Sequence, residues 1–206
     1  KIEHISAGYN DKTIIHDLSF EVEPSSLCVV IGENGSGKST LLKALACQLK
    51  HDGFSYVDED QVEMMRIKER ARLMSYLPQK SGVQISLPVL DVVLMGYNPV
   101  LKLLEKPSIA QIENAKTVLK SMGLESYIEE DFQNLSEGQK QLVLLSRLMI
   151  EDSKILLLDE IDSALDFHHR YEIMKKLETH IHAQKASAIL CLHDLALALR
   201  FANQLV

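Results

Sequence analysis

The sequence contains few of the features that mark membrane-spanning, disulfide-bonded or nucleic-acid-binding proteins. Tryptophan is absent, and no apolar run approaches the roughly 18 residues that a membrane helix requires. The three cysteines are an odd number in apolar surroundings, which favours reduced core thiols over a disulfide framework or a metal site. Lysine and arginine total 22 against 29 aspartates and glutamates, and the resulting charge of −7 argues against nucleic acid as a partner. What remains is a globular protein of 206 residues with apolar content for the core of one or two domains.

Short apolar runs alternate with segments of helical periodicity, which predicts an α/β fold with a mainly parallel sheet. The four predicted core strands cover residues 27–31, 74–77, 155–158 and 188–192. Polar residues follow three of these strands directly, and ligands of open α/β sheets bind at the carboxyl ends of strands. We therefore expect the functional site at that edge of the sheet.

Two further segments complete the predicted organisation. Residues 2–9 and 13–23 alternate in polarity around a short turn, a pattern typical of a β-hairpin. Residues 81–133 contain three prolines and no comparable strand, and a capping-box sequence there precedes apolar residues at helical spacing. The prediction is a single domain, with an α/β core and β subdomain formed by residues 1–80 and 134–206 and a helical subdomain formed by residues 81–133.

The strongest local motif is a phosphate loop at residues 32–39, where GENGSGKS matches G-x-x-x-x-G-K-[ST] between a predicted strand and a predicted helix. Its glycines allow backbone N–H groups to face phosphate oxygens, and the helix amino terminus adds further donors. Lys38 supplies charge for the β and γ phosphates, and the Ser39 hydroxyl suits Mg²⁺. A glycine-rich turn with a chance Lys-Ser pair is the alternative. The predicted ATP-binding residues of this segment are Gly32, Asn34, Gly35, Ser36, Gly37, Lys38, Ser39 and Thr40.

Two adjacent carboxylates, Asp159 and Glu160, end the apolar run of residues 155–158. Carboxylates in such a place are costly unless a cation or a reaction uses them, whereas a solvated strand end is the alternative. Because successive strand residues point to opposite faces, the two acids are expected to have different roles. Asp159 suits the Mg²⁺ shell, and Glu160 suits activation of a water for attack on the γ phosphate.

A third motif, LSEGQ at residues 135–139, opens a further helical run about twenty residues before the acidic strand. Ser136 and Gln139 have the spacing of a capping box, which is the simplest interpretation. A capped helix with a glycine in its first turn is also an anion site. The position of the run between the helical insertion and the acidic strand favours this second interpretation.

Taken in order, these motifs resemble the nucleotide-binding subunit of ATP-binding cassette (ABC) transporters over essentially the whole chain. The likeness rests on the phosphate loop, Gln79 after Tyr76-Leu-Pro, the LSEGQ signature, the acidic strand, the Ser-Ala-Leu-Asp of residues 163–166, and His193 after an apolar strand. The resemblance implies a P-loop NTPase fold, RecA-like, with an amino-terminal antiparallel β subdomain and an inserted α-helical subdomain. It also implies ATP and Mg²⁺ as the ligands.

Further site residues come from the resemblance alone. It implies that Tyr9 stacks on adenine, that Gln79 contacts Mg²⁺ and the attacking water, and that His193 hydrogen-bonds the γ phosphate. Asp166 is implied to lie along a dimer seam. In this family the signature of one subunit completes the ATP site of the other, and the residues implied to act there are Ser136, Gly138 and Gln139.

The chain departs from the family pattern at two places. The signature has Glu137 where glycine is usual, and Ile161-Asp162 stand where Pro-Thr usually follows the acidic strand. A carboxylate would therefore lie near a docking phosphate, but Ser136 and the backbone donors remain. We expect a hydrolysing enzyme.

The resemblance implies a second copy or a paired ATPase subunit, transmembrane permease subunits and, indirectly, a substrate-binding protein, with no nucleic acid. Residues 192–203 are similar to the corresponding segment of importer subunits for iron-siderophore, haem and cobalamin. The resemblance therefore implies that the chain drives import, and that it lies at the cytoplasmic face of the cell membrane. The apolar run at residues 89–95 is either a groove for a permease helix or core of the insertion.

Other ATPases remain as alternatives. An ABC-type ATPase of DNA repair or translation would be expected to show a coiled-coil or zinc insertion, or a second phosphate loop, and the sequence shows none of these. A small P-loop kinase would leave the signature and His193 unexplained. The chain ends soon after His193, so the resemblance implies a trimmed carboxyl terminus.

Overall fold

The computed structural model describes residues 1–10, 12–79, 86–161 and 167–206. The chain divides into two compact units, one formed by Lys1–Gln79 with Ser153–Val206 and the other by Lys80–Asp152. The first unit contains two β-sheets, and the second is helical. Within the described ranges, none of the helices combines the length and the apolar character needed to cross a bilayer.

One sheet is antiparallel and contains the predicted hairpin as its first two strands along the chain. Its strands are β1 (Ile2–Tyr9), β2 (Lys12–Phe20), β4 (His51–Val57) and β5 (Asp60–Gln61), in the order β2-β1-β4-β5. β1 buries Ile2, Ile5 and Ala7, while most of β2 is exposed or half-buried. The three-residue step from Ile2 to Ile5 departs from strict alternation because the ladder is irregular there, with His4 at a φ of 54°.

The other sheet is parallel and confirms the predicted fold class. Its strands are β3 (Leu27–Val30), β6 (Met74–Leu77), β7 (Ile155–Asp159), β8 (Ser187–Cys191) and β9 (Gln204–Leu205), in the order β6-β7-β8-β3-β9. All neighbouring pairs are parallel, so the carboxyl ends of β3, β6, β7 and β8 lie at one edge. β7 is one residue longer than predicted because Asp159 still pairs with Cys191.

Helix α1 (Lys38–Leu45) fills the space between the two sheets. Leu42 and Leu45 pack in one cluster with Ile5 of the antiparallel sheet and with Leu157 and Cys191 of the parallel sheet. Burial of each such leucine contributes about 1.5–3 kcal/mol. The helix that follows the phosphate loop is therefore fixed by the core. The other helices of this unit are α2 (Ile67–Leu73), α6 (Phe167–Gln184), α7 (Leu195–Phe201) and the 3-10 turn Val62–Met64.

The second unit contains α3 (Val89–Leu94), α4 (Ile109–Ser121) and α5 (Glu137–Met149), with 3-10 turns at Met95–Tyr97, Glu125–Tyr127 and Phe132–Asn134. α4 has the predicted capping box, and Gly123, at a φ of 74°, follows its end. α5 packs on α3 and α4, so the unit extends to residue 152, whereas the sequence placed its boundary after residue 133.

The apolar run of α3 belongs to the interior of the helical unit. Val89, Val92 and Val93 are buried, and α3 packs on α4 and α5. The interpretation of residues 89–95 as core is therefore confirmed for these three side chains. Leu90, Leu94 and Met95 of the same run are half-buried, so a permease groove at these side chains stays a prediction.

Candidate functional site

The phosphate loop connects β3 to α1 and has the backbone conformation that its glycines permit. Gly35 and Gly37 have φ values of 82° and 106°, in the left-handed region that favours glycine. A Cβ on Gly37 would lie only 2.8 and 2.7 Å from side-chain atoms of Ile14 and Ile15. Glycine is therefore required at position 37 both for its conformation and for the close approach of β2.

The ammonium group of Lys38 is buried and donates to its own loop. Its Nζ lies 2.8 Å from the carbonyl oxygen of Gly32 and 3.0 Å from that of Glu33. These bonds hold the positive charge at the mouth of the loop, in front of the amino terminus of α1. Cation, helix dipole and loop N–H groups together form a site for an anion. Of the remaining predicted residues of the loop, Asn34 and Ser36 are exposed. Ser39 is half-buried, and Thr40 is buried.

Ser39 and Asp159 meet although 120 residues separate them. The Ser39 Oγ donates to Asp159 Oδ1 at 3.0 Å, and Asp159 is only 2% exposed. Burial raises the pKa of the Asp159 carboxyl, and the hydrogen bond from Ser39 opposes that effect. A hydroxyl and a carboxylate in contact are hard oxygen donors of the kind that Mg²⁺ prefers, so the pair fits that ion.

Glu160 is joined by residues from the two strands beside β7. The Gln79 Nε2 after β6 donates to Glu160 Oε2, and His193 Nε2 after β8 lies 2.5 Å from Glu160 Oε1. Glu160 itself has a φ of 50°, and its N–H donates to the carbonyl of Cys191 at 3.2 Å. A left-handed glutamate costs about 1–2 kcal/mol, and such outliers concentrate at functional sites. The strand order therefore brings together the three residues predicted to be catalytic.

A cleft of about 210 Å³ lies in front of these groups. Gly35, Gly37 and Lys38 line it on the loop side, and Glu160 lines it on the side of the acidic strand. Phosphate-binding groups and the candidate base therefore face one space.

Tyr9 lies at the end of β1, beside the helix of the phosphate loop. Tyr9 is 42% exposed, and Lys43 Nζ is 5.9 Å from its ring centroid and 3.4 Å from its hydroxyl oxygen. An exposed ring near the loop is available to stack on a base, so the adenine role of Tyr9 stays a prediction. Lys43 was not among the predicted residues. Its position one helical turn beyond Ser39 already indicated that it lies on the same face of α1 as Ser39.

The signature begins α5 as a capping box. Ser136 is exposed, its N–H donates to Gln139 Oε1 at 2.9 Å, and its Oγ accepts from the Gln139 N–H at 3.3 Å. The Glu137 side chain is 81% exposed and forms an ion pair of 3.0 Å with Lys140. The carboxylate that departs from the family pattern is therefore turned to solvent and partly neutralised. Gly138 lies in the first turn of the helix.

Not every predicted residue can be placed. Asp166 and Asp162 lie outside the described residues, as do residues 163–165. Ile161, the other departure after the acidic strand, is 1% exposed and belongs to the core. Sequence reasoning also passed over the buried hydroxyl of Tyr76, for which the sequence offers no signal beyond a polar atom in an apolar strand.

Comparison with known proteins is consistent with this geometry. Residues 15–163 match the model of the ABC transporter family. The petrobactin import ATP-binding protein FpuD of Bacillus anthracis is 33% identical over 99% of this chain and 75% of its own length. The iron(3+)-hydroxamate import ATP-binding protein FhuC of Bacillus subtilis is 30% identical over 99% and 76%.

Two solved structures have the same fold. An ABC transporter in an inward-facing conformation is 26% identical, with a TM-score of 0.79 over 99% of this chain and 77% of that one. A dimeric ATP-binding cassette bound to ADP and phosphate in a post-hydrolysis state is 22% identical, with a TM-score of 0.86 over 100% and 92%.

Proposed function

The chain belongs to the ABC transporter family as an ATP-binding, ATP-hydrolysing subunit, and we propose that it drives the import of a chelated metal, with iron chelates as the substrate class. Two relatives at 30% identity or more have names that specify import of petrobactin and of iron(3+)-hydroxamate. Their transport names also disfavour the alternative of an ATPase of DNA repair or translation.

The observation that carries the catalytic part of the proposal is the contact of Glu160 with Gln79 and His193 beside the Ser39–Asp159 pair. Three neighbouring strand ends supply a carboxylate, an amide and an imidazole in one contact group. A structural role alone would not require an ionisable cluster beside a phosphate loop.

In this scheme the phosphate loop and Lys38 bind the β and γ phosphates, and Tyr9 stacks on the adenine. The Glu160 carboxylate takes a proton from a water positioned by Gln79. The water oxygen bonds to the γ phosphorus while the bond to the β–γ bridging oxygen breaks, which yields ADP and phosphate. His193 donates a hydrogen bond toward the γ phosphate.

Mg²⁺ would be held by Ser39, Asp159 and Gln79, and when bound it neutralises charge that develops on the phosphate oxygens. The residues present fit this ion, since Ser39 and Asp159 are already in contact at 3.0 Å. The base role falls to Glu160 because Glu160 lines the cleft, whereas Asp159 is 2% exposed and already in contact with Ser39.

We further propose that two copies, or one copy and a paired subunit, enclose two ATP molecules, with Ser136, Gly138 and Gln139 of each acting on the other's ATP. Exposure of Ser136 and the outward ion pair of Glu137 support this, because both leave the amino terminus of α5 accessible to an anion. Asp166 is proposed to lie along the same dimer seam. The permease partner would hold the dimer at the cytoplasmic face of the membrane.

Purification of the tagged chain with its associated membrane proteins tests the transport proposal. We expect permease subunits to copurify, and we expect vesicles containing the complex to accumulate an iron chelate only with ATP and its binding protein. Accumulation that ignores ATP, or association with ribosomes or DNA instead of a permease, would overturn it.

A further inference from the structure

Tyr76 places a polar atom in the core of the first unit. It lies in β6, and its ring packs against the apolar cluster that contains Leu42 of α1 and Leu157 of β7. Its hydroxyl oxygen is buried and has no hydrogen-bond partner within the residues that the structure describes. A buried hydroxyl without a partner is destabilising, and most such groups in proteins are bonded. Tyr76 therefore needs an explanation that packing does not supply, since phenylalanine would pack as well.

The register of the sheet puts the Tyr76 side chain on the face that carries Asp159. Tyr76 pairs with Leu157 in the parallel ladder between β6 and β7, and Leu157 and Asp159 share one face because they are two residues apart. Asp159 therefore lies two residues further toward the carboxyl edge on the face that carries the Tyr76 ring. Two residues of strand span about 6.6 Å, a length that a tyrosine side chain can cover.

The electrostatics agree with this placement. Burial raises the pKa of the Tyr76 phenol far above its usual range, and the negative charge of Asp159 raises it further. The phenol therefore stays protonated and remains a hydrogen-bond donor toward a carboxylate at working pH.

We propose that Tyr76 is a positioning residue for the magnesium site, whose hydroxyl hydrogen-bonds to the Asp159 carboxylate, directly or through one water, when that carboxylate binds Mg²⁺. The proposal rests on the proposed Mg–ATP site. Ser39 contacts Asp159 from the helix side, and Tyr76 lies on the neighbouring strand on the same face of the sheet. Partners that orient a ligating carboxylate strengthen metal binding. Tyr76 acts only through Asp159, so its loss would affect the metal and leave nucleotide contacts unchanged.

Tyr76→Phe tests this because it removes one oxygen and preserves the ring. It is made in a Glu160→Gln background so that ATP persists, and thermal unfolding is followed at fixed ATP while Mg²⁺ is titrated. We expect the Mg²⁺ concentration that gives half of the stabilisation to rise about tenfold, as for loss of a hydrogen bond to a charged group. ATP binding in EDTA should be unchanged, and the melting temperature without nucleotide should be equal or higher.

Tyr56→Phe, which removes the hydroxyl of a half-buried tyrosine in β4, is the matched control and should leave the Mg²⁺ midpoint unchanged. Equal Mg²⁺ midpoints for Tyr76→Phe and its parent would overturn the proposal. If the melting temperature without nucleotide were also lower, the role of the hydroxyl would be structural. Absence of any Mg²⁺-dependent stabilisation in the parent would refute the proposed Mg–ATP site itself. The two failures are therefore distinguishable.

Discussion

Replacement of Glu160 by glutamine separates ATP binding from ATP turnover. Its two carboxylate oxygens have different neighbours, because Oε2 accepts from Gln79 Nε2 and Oε1 lies 2.5 Å from His193 Nε2. Glutamine preserves the length of the side chain and one acceptor oxygen, but it cannot take a proton from water. In the proposed scheme the phosphate contacts come from the loop and Lys38, which the substitution does not change.

The size of the effect follows from these contacts. Loss of a general base lowers turnover by about 10²- to 10⁴-fold, equivalent to roughly 3–5 kcal/mol of activation free energy. The dissociation constant for ATP should change by no more than about threefold, since no phosphate ligand is lost. ATP that is bound but not hydrolysed should accumulate the dimer.

Three measurements on the purified chain check this prediction. Phosphate release gives turnover, equilibrium binding of labelled ATP gives affinity, and size-exclusion chromatography with light scattering gives the oligomeric state. Glu21→Gln, a matched change of charge at an exposed position, should behave as wild type. Normal hydrolysis by the Glu160→Gln variant would refute the assignment of the base. Loss of ATP binding would show that Glu160 is instead needed to build the site.

Two further predictions concern the signature and the thiols. Ser136→Arg, made in the trapped variant, should still bind ATP but stay monomeric by light scattering, because an arginine blocks the amino terminus of α5. The control Ser108→Arg removes the equivalent cap of α4, at a similar cost of about 1 kcal/mol in stability, and this variant should still dimerise. A dimer in both variants would contradict the shared site. Thiol reagents at pH 8 should label Cys47 first, because it is half-buried whereas Cys28 and Cys191 are buried and out of reach of the reagent. Burial raises the pKa of all three thiols, that of Cys28 to about 11, so labelling is slow throughout; early labelling of the two buried thiols, followed by mass spectrometry, would contradict this order.

The sequence predicted the parts of the site that are local in the chain. Lys38 and Ser39 belong to one loop, and Asp159 and Glu160 end one strand, so motif and periodicity sufficed. The meeting of Gln79, Glu160 and His193 depends on the order β6-β7-β8 across the sheet. Periodicity says nothing about that order, and only the family resemblance linked these residues beforehand.

Two features could not be predicted for physical reasons. The left-handed backbone of Glu160 was unexpected because φ values near 50° favour glycine or asparagine, and it is maintained here by the hydrogen bond to Cys191. The orientation of Tyr76 was ambiguous because strands covered on both faces have apolar residues throughout. The face on which the Tyr76 ring lies became known only with the register that pairs it with Leu157.

The hydrogen bonds of the site also determine what nucleotide binding must change. Lys38 donates to the carbonyls of Gly32 and Glu33, so a phosphate that accepts from this ammonium competes with two bonds of its own loop. Glu160 is bonded to Gln79 and His193 in the same way, so a water that approaches the carboxylate competes with both. The second exchange releases Gln79, which follows β6, and His193, which follows β8. In the proposed scheme, ATP binding therefore acts on the segments after β6 and β8, and we propose that these segments transmit the nucleotide state to a partner subunit.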